Sequence, residues 1–177
     1  MRNIAFIGGI HGVGKSTVCQ QICDKLDLIH LSASELIKWS DINEDAKNKK
    51  VKNVQDTQGR LIIGLRNTVQ TGKRYLLDGH YCLLNTNGEI EDIPVSTFQM
   101  INPFSLNIIL GDVSEIKKRI EARDNRHYEY DLLKRMQDNE LQCAKYLSEK
   151  LGVMLNVGLQ KNFTELLNSL YNTIVAL

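Results

Sequence analysis

Between residues 4 and 26 an apolar run, a glycine-rich turn and a periodic helix follow one another without a break, and this succession restricts the fold more than any other feature of the chain. Ile4-Ala5-Phe6-Ile7 is too continuous to have a solvent face, which predicts a strand buried on both sides of a parallel sheet. Gly8-Gly9 ends it. Val18, Ile22 and Leu26 then recur every four residues, the spacing of a helix packing back on the strand. The turn between them, Gly9-Ile10-His11-Gly12-Val13-Gly14-Lys15-Ser16, has the form G-x-x-x-x-G-K-[ST]. Its glycines let backbone N–H groups converge on phosphate oxygens, and the helix N-terminus adds partial positive charge. Gly9, His11, Gly12, Val13, Gly14, Lys15, Ser16 and Thr17 are therefore the expected phosphate cradle. In it Lys15 would neutralise β- and γ-phosphates, the Ser16 hydroxyl would ligate Mg²⁺ and Thr17 would bond the α-phosphate. A dinucleotide turn needs G-x-G-x-x-G; the spacing here is G-x-x-G-x-G, which disfavours NAD and FAD.

The same alternation continues along the chain. Leu28 to Leu31 reads as a second strand, and Ser32-x-x-Glu35 has the form of a capping box opening a helix through Leu36, Ile37 and Trp39. From Asp41 to Lys52 the stretch is polar and lysine-rich, with only Ile42, Ala46 and Val51 apolar, and reads as a solvated loop. Helical spacing returns at Leu61, Leu65 and Val69, before a buried strand, Tyr75 to Asp78, that ends in an acid. Asn87-Gly88 between Tyr81 and Ile93 signals a hairpin, and Ser96 to Gln99 opens a short helix closed by Asn102-Pro103. Leu106 to Leu110 is another buried strand, followed by a helix capped by Asp112 and carrying Ile116 and Ile120. The Asp124 to Tyr130 segment is short and polar. A longer helix from Leu132 to Leu147, a strand at Val153 to Leu155 and a closing helix at Phe163 to Leu170 complete an alternating α/β pattern, which predicts one doubly wound parallel sheet.

At 177 residues the chain amounts to roughly one domain, and 42% hydrophobic with 24% charged residues suits a folded core. Lys plus Arg number 22 against 21 Asp plus Glu, a net charge of +1, so no overall field favours nucleic acid or an anionic membrane. Phosphate recognition must then be local. With no long apolar span or signal-peptide core, a cytoplasmic location is expected. Cys19, Cys23, Cys82 and Cys143 show no zinc-like spacing, and reduced structural thiols are the better reading over redox or metal work.

Among chains with such a phosphate loop, a GTPase would need [NT]-K-x-D, and Asn48-Lys49-Lys50-Val51 lacks the acid. Asp56-Thr57-Gln58-Gly59 imitates the D-x-x-G of a switch loop, but no buried strand precedes it. A small phosphotransferase remains. The phosphate loop from Gly9 to Thr17, the acid-x-His of Asp78-Gly79-His80, the Arg119, Arg123-Asp124 and Arg126 group, and Ser32 to Lys38 after the second strand together resemble the nucleoside-monophosphate kinase group of P-loop kinases. The layout is most like the archaeal-type adenylate kinases and other short-lid nucleotide kinases. That resemblance implies a three-layer P-loop NTPase fold, a five-stranded parallel sheet flanked by helices, over residues 1–177. The acceptor-binding segment would lie at about 32–70 and a short lid at about 119–131. It further implies ATP and Mg²⁺ as cofactors and a nucleoside monophosphate as the small-molecule acceptor.

By the same resemblance Asp78 would be the second acid of the metal site, acting through water, or would orient the acceptor phosphate. Ser32, Glu35, Lys38 and His80 would face the acceptor, although capping alone also accounts for Ser32 and Glu35, and a turn hydrogen bond for His80. Arg119 and Arg123 are i and i+4 on one helical face with Arg126 just beyond, so they can converge on a trianionic group, or simply form a solvated face with Glu115. Lys38 stands where many adenylate kinases carry an arginine, and lysine lacks the bidentate fork. Two alternatives stay open: a kinase of another small metabolite on the same scaffold, and a nucleotide-binding regulatory protein or slow ATPase.

Overall fold

A computed structural model describes residues 3–37 and 54–177. Its central sheet has five parallel strands: β1 (Ile4–Gly8), β2 (Ile29–Ser32), β3 (Tyr75–Asp78), β6 (Ser105–Leu110) and β7 (Met154–Leu159), in the order β2-β3-β1-β6-β7. Ile7 on β1 pairs with Asp78 on β3, and Gly8 with Ile108 on β6, so the strand ends that carry polar residues lie side by side at one edge of the sheet. In an open α/β sheet that edge is where ligands bind.

Every residue of β1 is buried, as the apolar run predicts. Its side chains alternate between two cores. Ile4 and Phe6, with Tyr75, Leu77, Leu106 and Ile108, meet α2 (Ala33–Ile37), α3 (Val54–Thr68), α4 (Val95–Ile101) and α6 (Tyr130–Leu151) on one face. Ala5 and Ile7, with Leu76 and Ile109, meet α1 (Lys15–Leu26), α5 (Val113–Asp124) and α7 (Thr164–Val175) on the other. This is the three-layer α/β architecture expected of a phosphate-loop protein. All four cysteines are free and buried. No helix among the described residues is long and apolar enough to cross a membrane.

Several boundaries differ from the sequence reading. Strand β2 starts one residue late, because Asp27 adopts a left-handed turn (φ 51°) that ends α1. Helix α4 starts at Val95, after Pro94, ahead of Ser96; proline pre-sets the φ a helix entrance needs. The hairpin of β4 (Cys82–Leu84) and β5 (Ile90–Asp92) forms around Asn87-Gly88 as a separate two-stranded sheet, interrupting strict alternation. Asp56 to Gly59 lies within α3, which removes the switch-loop imitation. Strand β7 runs on to Leu159; Asn156 and Gly158 hid its second half, and Asn156 is buried because its amide donates to Asn107 Oδ1 at 2.9 Å. The Asp41 to Lys52 loop, Trp39 and Lys38 lie outside the described residues.

Candidate active site

A cavity of about 430 Å³ opens at the C-terminal edge of the sheet, with the phosphate loop as its floor. The loop turns tightly because Gly12 (φ 81°) and Gly14 (φ 94°) take conformations that side chains rarely adopt. A Cβ on Gly12 would also collide with Ile120 of α5. His11, Gly12, Gly14, Lys15, Ser16 and Thr17 line the cavity. Gly9 and Val13 do not: Val13 is buried in the core, and both polar groups of Gly9 are engaged within the protein. Its carbonyl accepts from Lys15 Nζ at 2.6 Å, and its N–H donates to Glu140 Oε2 at 3.0 Å.

Lys15 is 9% exposed, and its ammonium lies 3.9 Å from Asp78 Oδ1. Burial pushes the Asp78 carboxyl up, but the His30 ring, the Lys15 ammonium and His80 together outweigh it and hold the acid below its ordinary range. Asp78 is therefore an anion at neutral pH. Ser16 offers a hydroxyl to the same cavity. A hydroxyl and a carboxylate are hard oxygen donors, the set Mg²⁺ takes beside phosphate oxygens, so these two residues fit that ion.

Arg119 and Arg123 form part of the opposite wall, as their shared helical face predicts. Arg119 Nη1 donates to Gly12 O at 2.8 Å, which ties α5 to the loop. Arg123 contacts His11 Nε2 and holds Asp124 through two hydrogen bonds, at 2.6 and 2.9 Å. That guanidinium, with the Tyr128 hydroxyl at 2.5 Å, keeps Asp124 far below the usual carboxylate range. Arg126 does not converge with the other two. Its guanidinium stacks 4.4 Å from the Tyr128 ring centre, and it does not line the cavity. The connection from α5 to α6 spans residues 125–129, as short as the sequence implies.

Of the acceptor-side residues, Ser32 and His80 line the cavity and Glu35 does not. Ser32 Oγ lies 2.9 Å from Ser34 Oγ. Lys38 is outside the described residues. This end combines Phe6, Ile37, Leu61, Phe98 and Ile101 with Ser34, Thr97 and the buried amide of Gln58, whose Oε1 has no hydrogen-bond partner. Phe6 and Phe98 meet edge to face at 5.0 Å.

Glu140 was not anticipated. It is fully buried on α6, and besides Gly9 N–H it accepts from Tyr81 N–H at 3.1 Å and lies 3.2 Å from His80 Nδ1. One carboxylate thus joins the phosphate loop to the turn after Asp78. The signal was present: Leu133, Met136, Glu140, Cys143 and Leu147 recur at helical spacing, and a charge inside an apolar stripe is retained only where it is paired.

A family model for an AAA domain, AAA_17, matches residues 8–137, which include the phosphate loop, Asp78 and both cavity arginines. No curated protein matches the chain. The fold is similar to that of a gluconokinase from Sinorhizobium meliloti 1021, at 12% identity over 99% of this chain and 92% of that one, with a TM-score of 0.55. It is similar also to an uncharacterized protein from Eubacterium ventriosum ATCC 27560, at 13% identity, 99% and 100% coverage and a TM-score of 0.54. An unliganded sugar kinase from Janibacter sp. HTCC2649 shares 14% identity over 94% and 90%, with a TM-score of 0.53. At such identities the likeness is one of fold. The family match extends over most of the chain and begins at the loop where the site is built, and on that ground the chain belongs to the AAA-domain family AAA_17.

Proposed function

We propose that the chain is an ATP- and Mg²⁺-dependent phosphotransferase that moves the γ-phosphoryl group to a small acceptor, and that the acceptor is a nucleoside monophosphate. One observation carries the reading: a single cavity runs from the phosphate loop, past Asp78 and two arginines, to an end where aromatic and aliphatic side chains surround a buried amide whose oxygen has no partner. A triphosphate would lie at the loop end, and a flat ring bearing an N–H donor would suit the other. Phosphoryl transfer leaves little covalent work for the protein, so positioning and charge neutralisation would supply the rate. Lys15 would leave Gly9 O for the phosphates. Mg²⁺, held by Ser16 and through water by Asp78, would neutralise charge on the phosphate oxygens. Arg119 and Arg123 would meet the transferred group, which requires Arg123 to give up its contacts with Asp124 and His11.

A second reading, a kinase acting on a hydroxyl of a sugar-like acceptor, is supported by the names of two structural neighbours, a gluconokinase and a sugar kinase. The packed Phe6, Leu61, Phe98 and Ile101 favour a flat ring over a polyol, which needs many hydrogen-bonding partners, although Ser32, Ser34, Thr97 and His80 line the same cavity. The deciding measurement is ADP release from ATP and Mg²⁺ with nucleoside monophosphates, nucleosides and sugar acids as acceptors. Stimulation by a monophosphate, abolished in Lys15→Ala, is expected. Stimulation by a sugar acid alone transfers the assignment to the second reading, and tight ATP binding without any stimulation makes the chain a nucleotide-binding regulator. Arg123→Ala should lower kcat by about 10²-fold or more while changing ATP affinity far less; equal losses would reduce Arg123 to an ATP clamp.

A further inference from the structure

Three potential ligand atoms that the reaction leaves partly unused meet beside the phosphate loop. Cys19 lies one turn beyond Lys15 on α1, His30 is on β2, and Asp78 ends β3. The Cys19 sulfur, a His30 ring nitrogen and an Asp78 oxygen all lie within 4.8 Å of one another. His30 Nε2 is buried and stands 3.9 Å from Asp78 Oδ2, near enough to favour the carboxylate electrostatically but too far for a hydrogen bond, so the ring nitrogen has no hydrogen-bond partner. A buried ring nitrogen without a partner is unfavourable, so something is expected to fill the gap. Asp78 divides its oxygens accordingly: Oδ1 faces Lys15, and Oδ2 faces His30.

We propose that Cys19, His30 and Asp78 bind a borderline-soft divalent cation, with Zn²⁺ the best match, and that filling this site withdraws Asp78 from Mg²⁺ and stops turnover. A thiolate, an imidazole and a carboxylate together are a zinc donor set; a purely hard ion would not select the sulfur. Zinc bonds of about 2.0–2.3 Å put tetrahedral ligands about 3.3–3.8 Å apart, so the three side chains must draw together from their present spacing of up to 4.8 Å. Asp78 lines the cavity and gives the ion its way in. On binding, the Cys19 S–H bond breaks, its proton passes to solvent, and a Zn–S bond forms; the fourth ligand position stays open for water. Spacing along the chain could not reveal such a site, because each ligand comes from a different element.

Metal binding is independent of the kinase reading; the effect on turnover rests on it. The full chain is first titrated with Co²⁺ alone, without nucleotide. One ion should bind, with a near-ultraviolet thiolate-to-cobalt band and visible bands of a tetrahedral ion, and Zn²⁺ should displace it. Loss of an outer partner alone lowers metal affinity about 10–100-fold, so Cys19→Ala should weaken binding about a hundredfold and remove the thiolate band. His30→Ala, which reads the same site through a more exposed position, should weaken binding similarly and keep a weakened sulfur band. Absence of a thiolate band in the wild type, or its persistence in Cys19→Ala, overturns the site. In the ADP-release assay Zn²⁺ should inhibit the wild type, while Cys19→Ala keeps its zinc-free turnover and resists inhibition about a hundredfold better; equal inhibition of both overturns the regulatory role. A chain with no turnover toward any acceptor fails the kinase reading and leaves the cobalt titration to decide the site.

Discussion

Asp78 is placed between the Lys15 ammonium and the His30 ring, in a setting where burial by itself would favour its neutral form. Its neighbours prevail, and the folded state therefore prefers the carboxylate. A carbon-13 titration of this side chain should give a midpoint below the ordinary aspartate value of about 3.9; a higher midpoint would show that desolvation wins. Because the folded pKa is the lower one, the group adds stability above the unfolded value and loses it as pH falls through the folded pKa. Asp78→Asn should remove that acid-side dependence and lower kcat about 10²-fold. Lys15, Ser16 and Asp78 were legible in the sequence because a glycine spacing and a strand-end acid mark them. Arg126 was misleading, since spacing along a helix says nothing about the aromatic ring that captures a side chain just past its end.

At the scale of elements, α6 reaches the active site from below through Glu140. Glu140→Ala would leave the buried N–H groups of Gly9 and Tyr81 without an acceptor, at about 1–3 kcal/mol each, partly offset by relief of the carboxylate's own desolvation. A net loss of about 3 kcal/mol should lower Tm by about 6–12 °C in a chain of this size; calorimetry of the variant checks it, and an unchanged Tm would show that water takes over both donors. Strands β1, β3 and β6 were readable because burial on both faces leaves an unbroken apolar run. Half of β7 was not, since a buried asparagine paired across the sheet looks in sequence like a loop residue. Glu140 stands out in sequence as a charge inside an apolar stripe, but its partners, the N–H groups of Gly9 and Tyr81 and the His80 ring, come from distant turns and could not be read from spacing.

For the molecule as a whole, the two cores hold the sheet from both faces and leave its C-terminal edge for the cavity. Anything that binds only the folded state stabilises it, by about 2.7 kcal/mol at a ligand concentration a hundredfold above Kd. ATP with Mg²⁺ at that excess should therefore raise Tm by about 5–11 °C, and Lys15→Ala should abolish most of the shift. A thermal-shift titration of both proteins checks this; equal shifts would place the nucleotide away from the loop.

The position of Glu140 has a mechanical consequence. Helix α6 is 22 residues long and begins at the short connection that follows the arginines. At 1.5 Å per residue, Tyr130 lies about 15 Å along the rod from Glu140, whose carboxylate is fastened to the phosphate loop. The helix is thus a brace that ties the loop to the sheet. Between Tyr130 and Glu140, Leu133 is buried in the core, and the Gln137 amide both accepts from Gly111 N–H and donates to Gly111 O, each at 3.0 Å. With Arg119 also bonded to Gly12 O, the floor on which the triphosphate would rest is held from both α5 and α6.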